Sequence, residues 1–294
     1  MVKKNGKITL SLIFLNYNSQ FWIKKALESL NAFYLKKTKY KIEILVVDNN
    51  STDHSISMIK NDYKFARIIQ TGHNLGFAGG NNVGLKTAKG KYIMLLNSDV
   101  EFTEKTNLDE LINYMDNNQK VGAVSPKVEL TNGDLDKACH RGEPTPWAAF
   151  THYSKLAKLL PKRKLFGQYH LSYKDLNIAH SIDACTGAAM MVRKSVIDKI
   201  GGLDETFFMY GEDLDWCKRI RESGNKIIYY PNVVIKHHKY KSGIKSHSTG
   251  ISKKIRAQFY ESMLKYYDKH YKKQYPQIVR FFVKLFVFIK KGGL

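Results

Sequence analysis

The stretch Ile42-Glu43-Ile44-Leu45-Val46-Val47-Asp48-Asn49-Asn50-Ser51-Thr52-Asp53 is an apolar, β-branched run that stops on an acid and passes into an Asn/Ser/Thr/Asp cluster. The run reads as a buried strand over Ile42–Asp48. The cluster reads as a turn whose Asp53 caps a helix over His54–Asn61. Working outward, the unit recurs: Ile8–Leu15 precedes an amphipathic Phe21–Phe33, Arg67–Gln70 precedes Ala78–Ala88, and Tyr92–Leu96 opens the next. Strands alternating with helical patterns predict a doubly wound α/β domain around a mostly parallel central sheet. Ligands of such sheets sit beyond the carboxyl ends of the strands. Those ends carry Asn16-Tyr17-Asn18, Asp48-Asn49-Asn50 and Asn97-Ser98-Asp99, so three polar clusters are expected to converge on one crevice.

The 294 residues are 43% hydrophobic, enough for one large globular domain with an appendage. The net charge of +22 is unevenly placed, with fifteen Lys/Arg against two Asp/Glu from Lys236 onward. Such a patch attracts phosphate on nucleic acid, anionic lipid or a diphosphate substrate, and charge alone does not choose among them. Cys139, Cys185 and Cys217 are odd in number and widely spaced, which suggests neither a disulfide framework nor a zinc cluster and fits a reducing cytoplasm. The basic N-terminus and Ile8–Leu15 read as a strand rather than a signal peptide. No segment reaches the roughly eighteen consecutive apolar residues of a membrane span.

From Lys137 to Ile182 the rhythm breaks, with three prolines, several aromatics and the basic run Lys162-Arg163-Lys164. A mobile loop or short-helix region is expected there. Order returns in Gly187–Arg193, a helix near Glu212–Ser223, and strands near Lys226–Tyr230 and Val233–Lys236. Lys253–Lys290 reads as helical with a break at Pro276.

Five constellations carry chemistry. Because Asp53 already serves as a cap, Asp48 is left for a base or ribose contact, or for a structural turn. The glycine-rich Asn74–Gly84 opens a helix, where backbone N–H groups can approach a diphosphate; such turns also arise for steric reasons alone. Asp99 ends a buried strand, where a carboxylate calls for a positive partner. A magnesium or manganese ion bridging donor phosphates would supply one, and helix capping is the alternative. Glu212, Asp213 and Asp215 follow Phe207-Phe208-Met209-Tyr210 at a helix start, which favours acids in any case. A carboxylate against aromatic walls also suits a general base, with Asp213 preferred and Asp215 second. His237 and His238 end a further strand, where they fit a phosphate contact, a structural role or, for His237, ligation of the ion held by Asp99.

The basic, tyrosine-rich tail closes on Ile278–Lys291, too short and too charged to span a bilayer. It reads as an interfacial helix on anionic lipid, or as a helix packed on its own domain or on a second copy.

Taken in order, NYNS (16–19), VVDNNSTD (46–53), NLGFAGGNNVG (74–84), LLNSD (95–99), GAAMMVRK (187–194), GGLDETFFMYGEDLDWCKR (201–219) and HHKYKS (237–242) resemble the family 2 nucleotide-sugar glycosyltransferases of GT-A fold, specifically the rhamnosyltransferase-like branch of bacterial surface-polysaccharide assembly. The likeness runs from Ile8 to Ser242. It implies a GT-A domain over 1–245, with 137–182 on the acceptor side, and leaves 246–294 as the tail whose own residues read as binding membrane or dimerising. It implies that Leu15, Tyr17 and Asp48 hold the nucleoside, that Asn74, Asn82 and Asn97 lie near the donor, and that Asp99 ends a DxD-like motif. Asp99 and His237 would hold Mn2+ or Mg2+. Asp213 would be the base of an inverting displacement, with Glu212, Asp215 and Trp216 on the acceptor side. One departure is that Asn97 occupies the first position of the DxD-like motif, leaving one carboxylate for the ion.

The implied reaction moves rhamnose or a hexose from a dTDP- or UDP-sugar to a lipid-linked saccharide, at the inner face of a bacterial plasma membrane. Two rivals remain. A nucleic-acid-binding protein would use the lysines and tyrosines, though no DNA- or RNA-binding signature is present. A catalytically inactive membrane scaffold would keep the fold alone.

Overall fold

The computed structural model describes residues 6–239 and 249–291. Residues 240–242 of the HHKYKS motif, and 246–248 and 292–294 of the tail, lie outside them. The first half follows the expected rhythm: β1 (Leu10–Asn16), α1 (Gln20–Leu30), β2 (Ile42–Asp48), α2 (Ser55–Asp62), β3 (Ala66–Gln70), α3 (Gly76–Thr87) and β4 (Tyr92–Asn97). Next come β5 (Val100–Phe102), α4 (Leu108–Asn117) and β6 (Val121–Leu130). Among the described residues nine strands form one sheet in the order β3-β2-β1-β4-β8-β6-β9-β5, with β7 (His180–Ile182) also on β9; β8 is Ala189–Arg193 and β9 is Lys226–His237. The first four strands in that order run parallel. Beyond them the sheet is mixed: β8 is antiparallel to β4 and β6, while β6 and β9 run parallel.

Register explains the crevice. Asn16 lies opposite Asp48 across β1 and β2, and Leu15 opposite Asn97 across β1 and β4, so three strand ends stop along one line. The runs between are buried on both sides, from Leu12 and Phe14 to Val46 and Leu95, which explains their unbroken apolar character. The two strands expected at Lys226–Tyr230 and Val233–Lys236 are one strand. Its register on β6 shifts after Tyr230, at Pro231, which has no N–H to give a ladder.

The 137–182 segment holds a 3-10 turn at Lys137–Cys139 and short helices α5 (Pro146–Tyr153) and α6 (Leu156–Leu159). Thr145 caps α5 by accepting from the N–H of Ala148, and Pro146 takes the first turn. Helices α7 (Lys194–Ile200) and α8 (Glu212–Glu222) precede β9. Among its described residues the tail holds two helices, α9 (Thr249–His270) and α10 (Gln277–Lys291). Tyr266 and Tyr267 of α9 and Tyr271 just after it bury themselves with Phe207, and Val279 and Val283 of α10 pack against this cluster. No helix among the described residues is long and apolar enough to cross a membrane.

Candidate active site

The floor of the crevice is a polar lattice at the ends of β1 and β2. The Asn16 amide donates to Asp48 Oδ1 at 2.9 Å and to Ser55 Oγ at 2.9 Å, and the Ser51 N–H donates to Asp48 Oδ2 at 3.0 Å. Asp48 is thus buried with both oxygens engaged, whereas Tyr17 beside it is exposed and Leu15 half-buried. Asp53 accepts from the N–H groups of Ser55 and Gln20, so one carboxylate caps the starts of α2 and α1.

The glycine-rich turn owes its composition to sterics. Its leading N–H groups are already taken: Leu75 donates to Asn49, Gly76 to Asn74 and Phe77 to the carbonyl of Phe208. The expected diphosphate cradle is therefore not available there. Gly76 sits at φ +73°, and a Cβ on it would come 2.3 Å from the Phe208 carbonyl. Asn74 itself stands exposed at the crevice edge. Asn82 donates to the Leu203 carbonyl and to Glu205 and accepts from the Leu203 N–H, which ties α3 to the loop before α8.

Antiparallel pairing of β5 with β9 sets Val100 against His237, which brings the preceding acid to the histidine. Asp99 Oδ1 lies 3.2 Å from His237 Nε2, and the Asn97 amide 3.5 Å from the same nitrogen. The other ring nitrogen, Nδ1, lies 3.1 Å from Asp136, which Lys239 also contacts at 2.8 Å. Burial disfavours a charged imidazole, but Asp136 and Asp99 outweigh it and push His237 up to about 9. Burial likewise opposes the Asp136 charge, yet His237 and Lys239 hold that carboxyl well below the usual range. With Nδ1 anchored by a carboxylate, Nε2 is aimed at Asp99, the orientation common for metal-bound histidines. Among the described residues no three His, Cys, Asp or Glu side chains form a metal cage. Asp99 and His237 are the two side chains here that could hold an ion, one whose other positions would be filled by phosphate oxygens and water.

At the start of α8, Asp213 Oδ2 lies 2.6 Å from Arg141, and its Oδ1 accepts from the Leu214 N–H at 2.8 Å. The guanidinium also donates to the Cys185 carbonyl. Burial pulls the Arg141 pKa down, and Asp213 more than offsets it. Next door, Glu212 is buried with Oε2 lacking a protein partner among the described residues. Burial, reinforced by the neighbouring Asp213, pushes its carboxyl up to about 8.

Residues 11–201 match the profile of glycosyl transferase family 2, and residues 167–248 that of the N-terminal domain of galactosyltransferase. The chain belongs to glycosyl transferase family 2. This glycosyltransferase is 28% identical over 223 residues to a low-salt glycan biosynthesis hexosyltransferase of Haloferax volcanii, covering 74% of this chain and 63% of that one. It is 25% identical over 255 residues to the N-acetylglucosaminyl-diphospho-decaprenol L-rhamnosyltransferase of Mycobacterium tuberculosis, covering 82% and 78% of the two chains. In fold it resembles a mannosyltransferase of Pyrobaculum calidifontis solved with GDP-Man and Mn2+, with a TM-score of 0.58 and 16% identity over 97% of this chain and 71% of that one. Membership removes the nucleic-acid reading, and the GT-A architecture stands.

Within the glycosyltransferase, the acids of α8 divide their work. Asp215 is fully buried and takes Arg219 at 2.8 Å, Lys269 at 2.6 Å and His270 at 2.8 Å. Burial works against its charge, but the hydrogen bonds from His270 and Lys269 and the charge of Arg219 hold the carboxyl far below the usual range. Trp216 is also fully buried and donates to the Gly201 carbonyl. Both serve the frame between α8, α9 and the Gly201 loop and do not line the crevice. Sequence reasoning missed Arg141 and Asp136: each is a single charged residue in an irregular segment, with no periodic or motif signal to mark it.

Proposed function

We propose that this glycosyltransferase is an inverting, metal-assisted enzyme that moves rhamnose or a hexose from a dTDP- or UDP-sugar to a hydroxyl of a lipid-linked saccharide. The proposed setting is cell-surface polysaccharide synthesis at the cytoplasmic face of the membrane. The observation that carries it is the pairing of two stations: the Asp99–His237 half-site where β4 gives way to β5, and the Asp213 carboxylate clamped by Arg141 on α8. The lipid-linked acceptor takes support from the mycobacterial relative, whose name specifies a diphospho-decaprenol acceptor.

Asp99 and His237 would hold the cation, and Asn97 would touch a phosphate or ribose. A bound Mn2+ or Mg2+ supplies charge neutralisation on the departing nucleoside diphosphate. Tyr17, Leu15 and the Asn16–Asp48 lattice shape the nucleoside end. Asp213 takes the proton of the acceptor hydroxyl while that oxygen bonds to the anomeric carbon and the bond to the diphosphate breaks. A single in-line displacement inverts the anomeric centre.

The test is release of nucleoside diphosphate from a panel of donor sugars, with and without Mn2+. Metal-dependent release from one donor, lost in Asp99→Ala, is the expected result. Absence of both release and calorimetric donor binding across the panel would overturn the reading in favour of a scaffold.

A further inference from the structure

Helix α10 is apolar on two faces. Val279, Val283 and the buried Val287 turn inward. Ile278, Phe281, Phe282, Leu285, Phe288 and Ile289 are all exposed. At 3.6 residues per turn these six fall on one continuous face, with Lys284 and Lys291 along one border. No acid occurs in the helix. Packing on its own domain accounts for the inner face only, and six contiguous apolar side chains in water mark an interaction surface.

A second element of the same chemistry adjoins it. Phe150, Leu159, Leu160 and Leu165 are exposed, and Lys155, Lys158, Lys162, Arg163 and Lys164 stand exposed among them. The two elements meet where the Tyr153 ring lies 4.9 Å from that of Phe286 on α10 and its hydroxyl contacts the Met263 sulfur on α9.

We infer that α10 and the 150–165 segment together form a docking surface for an anionic lipid bilayer. Apolar side chains at the level of the acyl boundary, with lysines and an arginine reaching the headgroups, describe both elements. Charge complementarity selects this occupant. A second copy seated on the same surface by two-fold symmetry would bring two acid-free, basic surfaces together, in a chain of net charge +22. The inference deepens the proposed function and rests on it for its purpose: the segment that meets the lipid is continuous with Arg141, which grips Asp213. A bilayer held there would present a lipid-linked acceptor beside the base.

The experiment is co-sedimentation of the full chain with phosphatidylcholine vesicles, with and without phosphatidylglycerol, followed by light scattering and donor hydrolysis on the same preparations. Binding is expected only with phosphatidylglycerol and should weaken with salt. Phe281→Ser/Phe282→Ser/Phe288→Ser is expected to lose roughly tenfold or more of that binding, with helicity and nucleoside diphosphate release unchanged. Lys162→Gln/Arg163→Gln/Lys164→Gln is expected to lose a similar amount. Two results overturn the inference: wild-type protein that hydrolyses donor yet ignores phosphatidylglycerol vesicles, or a phenylalanine variant that binds them normally and dissociates from dimer to monomer. Vesicle binding lost in both variants, with no donor hydrolysed by any form, would sustain the docking surface and sink the functional reading alone.

Discussion

The guanidinium of Arg141 lies 2.6 Å from the carboxylate of Asp213, so the proposed base is held by a residue of the irregular 137–182 segment. Both side chains are largely shielded, which makes the pair sensitive to loss of either partner. Arg141→Ala is expected to destabilise the protein by about 2–4 kcal/mol, and Arg141→Ala with Asp213→Ala by less than the sum, giving a coupling of about 1–3 kcal/mol. Urea titrations of the four proteins measure this; additive effects would mean that the contact contributes nothing. Asp213→Asn should keep donor binding while kcat falls about 100- to 10,000-fold.

Asp136 touches no substrate in this reading and acts through His237. Asp136→Asn would let the imidazole turn and lose basicity, which should weaken Mn2+ binding about 10- to 100-fold. Raising Mn2+ should restore turnover in this variant but not in Asp99→Ala. Titration calorimetry with Mn2+ and donor reads the affinity directly, and an unchanged value would reduce Asp136 to a packing role.

Glu212 makes stability pH-dependent. Its folded-state pKa of about 8 lies above the ordinary carboxylate value, so in mildly acid and neutral solution the native state holds a proton that the unfolded chain has released. Stability therefore falls as pH rises from about 4.5 towards 8, by up to about 1.4 kcal/mol per pH unit, and levels off above. Glu212→Gln keeps a neutral side chain at every pH. Relative to wild type it should gain stability steadily across that window, as followed by melting temperature; parallel profiles would place the Glu212 pKa near its ordinary value.

Asp215 joins α8 to the tail through Lys269 and His270. Asp215→Asn leaves Arg219 and Lys269 facing a neutral amide, and a loss of about 3–5 kcal/mol is expected. Hydrogen exchange should show α9 opening before the sheet; uniform protection loss would mean that the tail and core unfold as one unit.

Local pattern was enough to place β1 to β4 and their helices, because a buried parallel strand and an amphipathic helix each write their period into consecutive residues. The converging polar strand ends and the helix start carrying Glu212, Asp213 and Asp215 were legible for the same reason. Even the division among those acids was within reach. On a helix, positions 212 and 215 share a face and 213 points elsewhere, so burial of the first two leaves Asp213 turned towards the Arg141 side.

What the amino-acid order determined by itself, then, is the parallel half of the sheet, the residues at its carboxyl edge and the chemistry they carry. Tertiary structure alone decided which of them meet. His237 faces Asp99 through the pairing of β5 with β9. Asp136, 101 residues away in sequence, lies 3.1 Å from its ring, and Arg141 reaches Asp213 across 72 residues. Contacts at such separations leave no periodic trace, since the energy that selects them is electrostatic and steric complementarity between segments whose own sequences remain irregular.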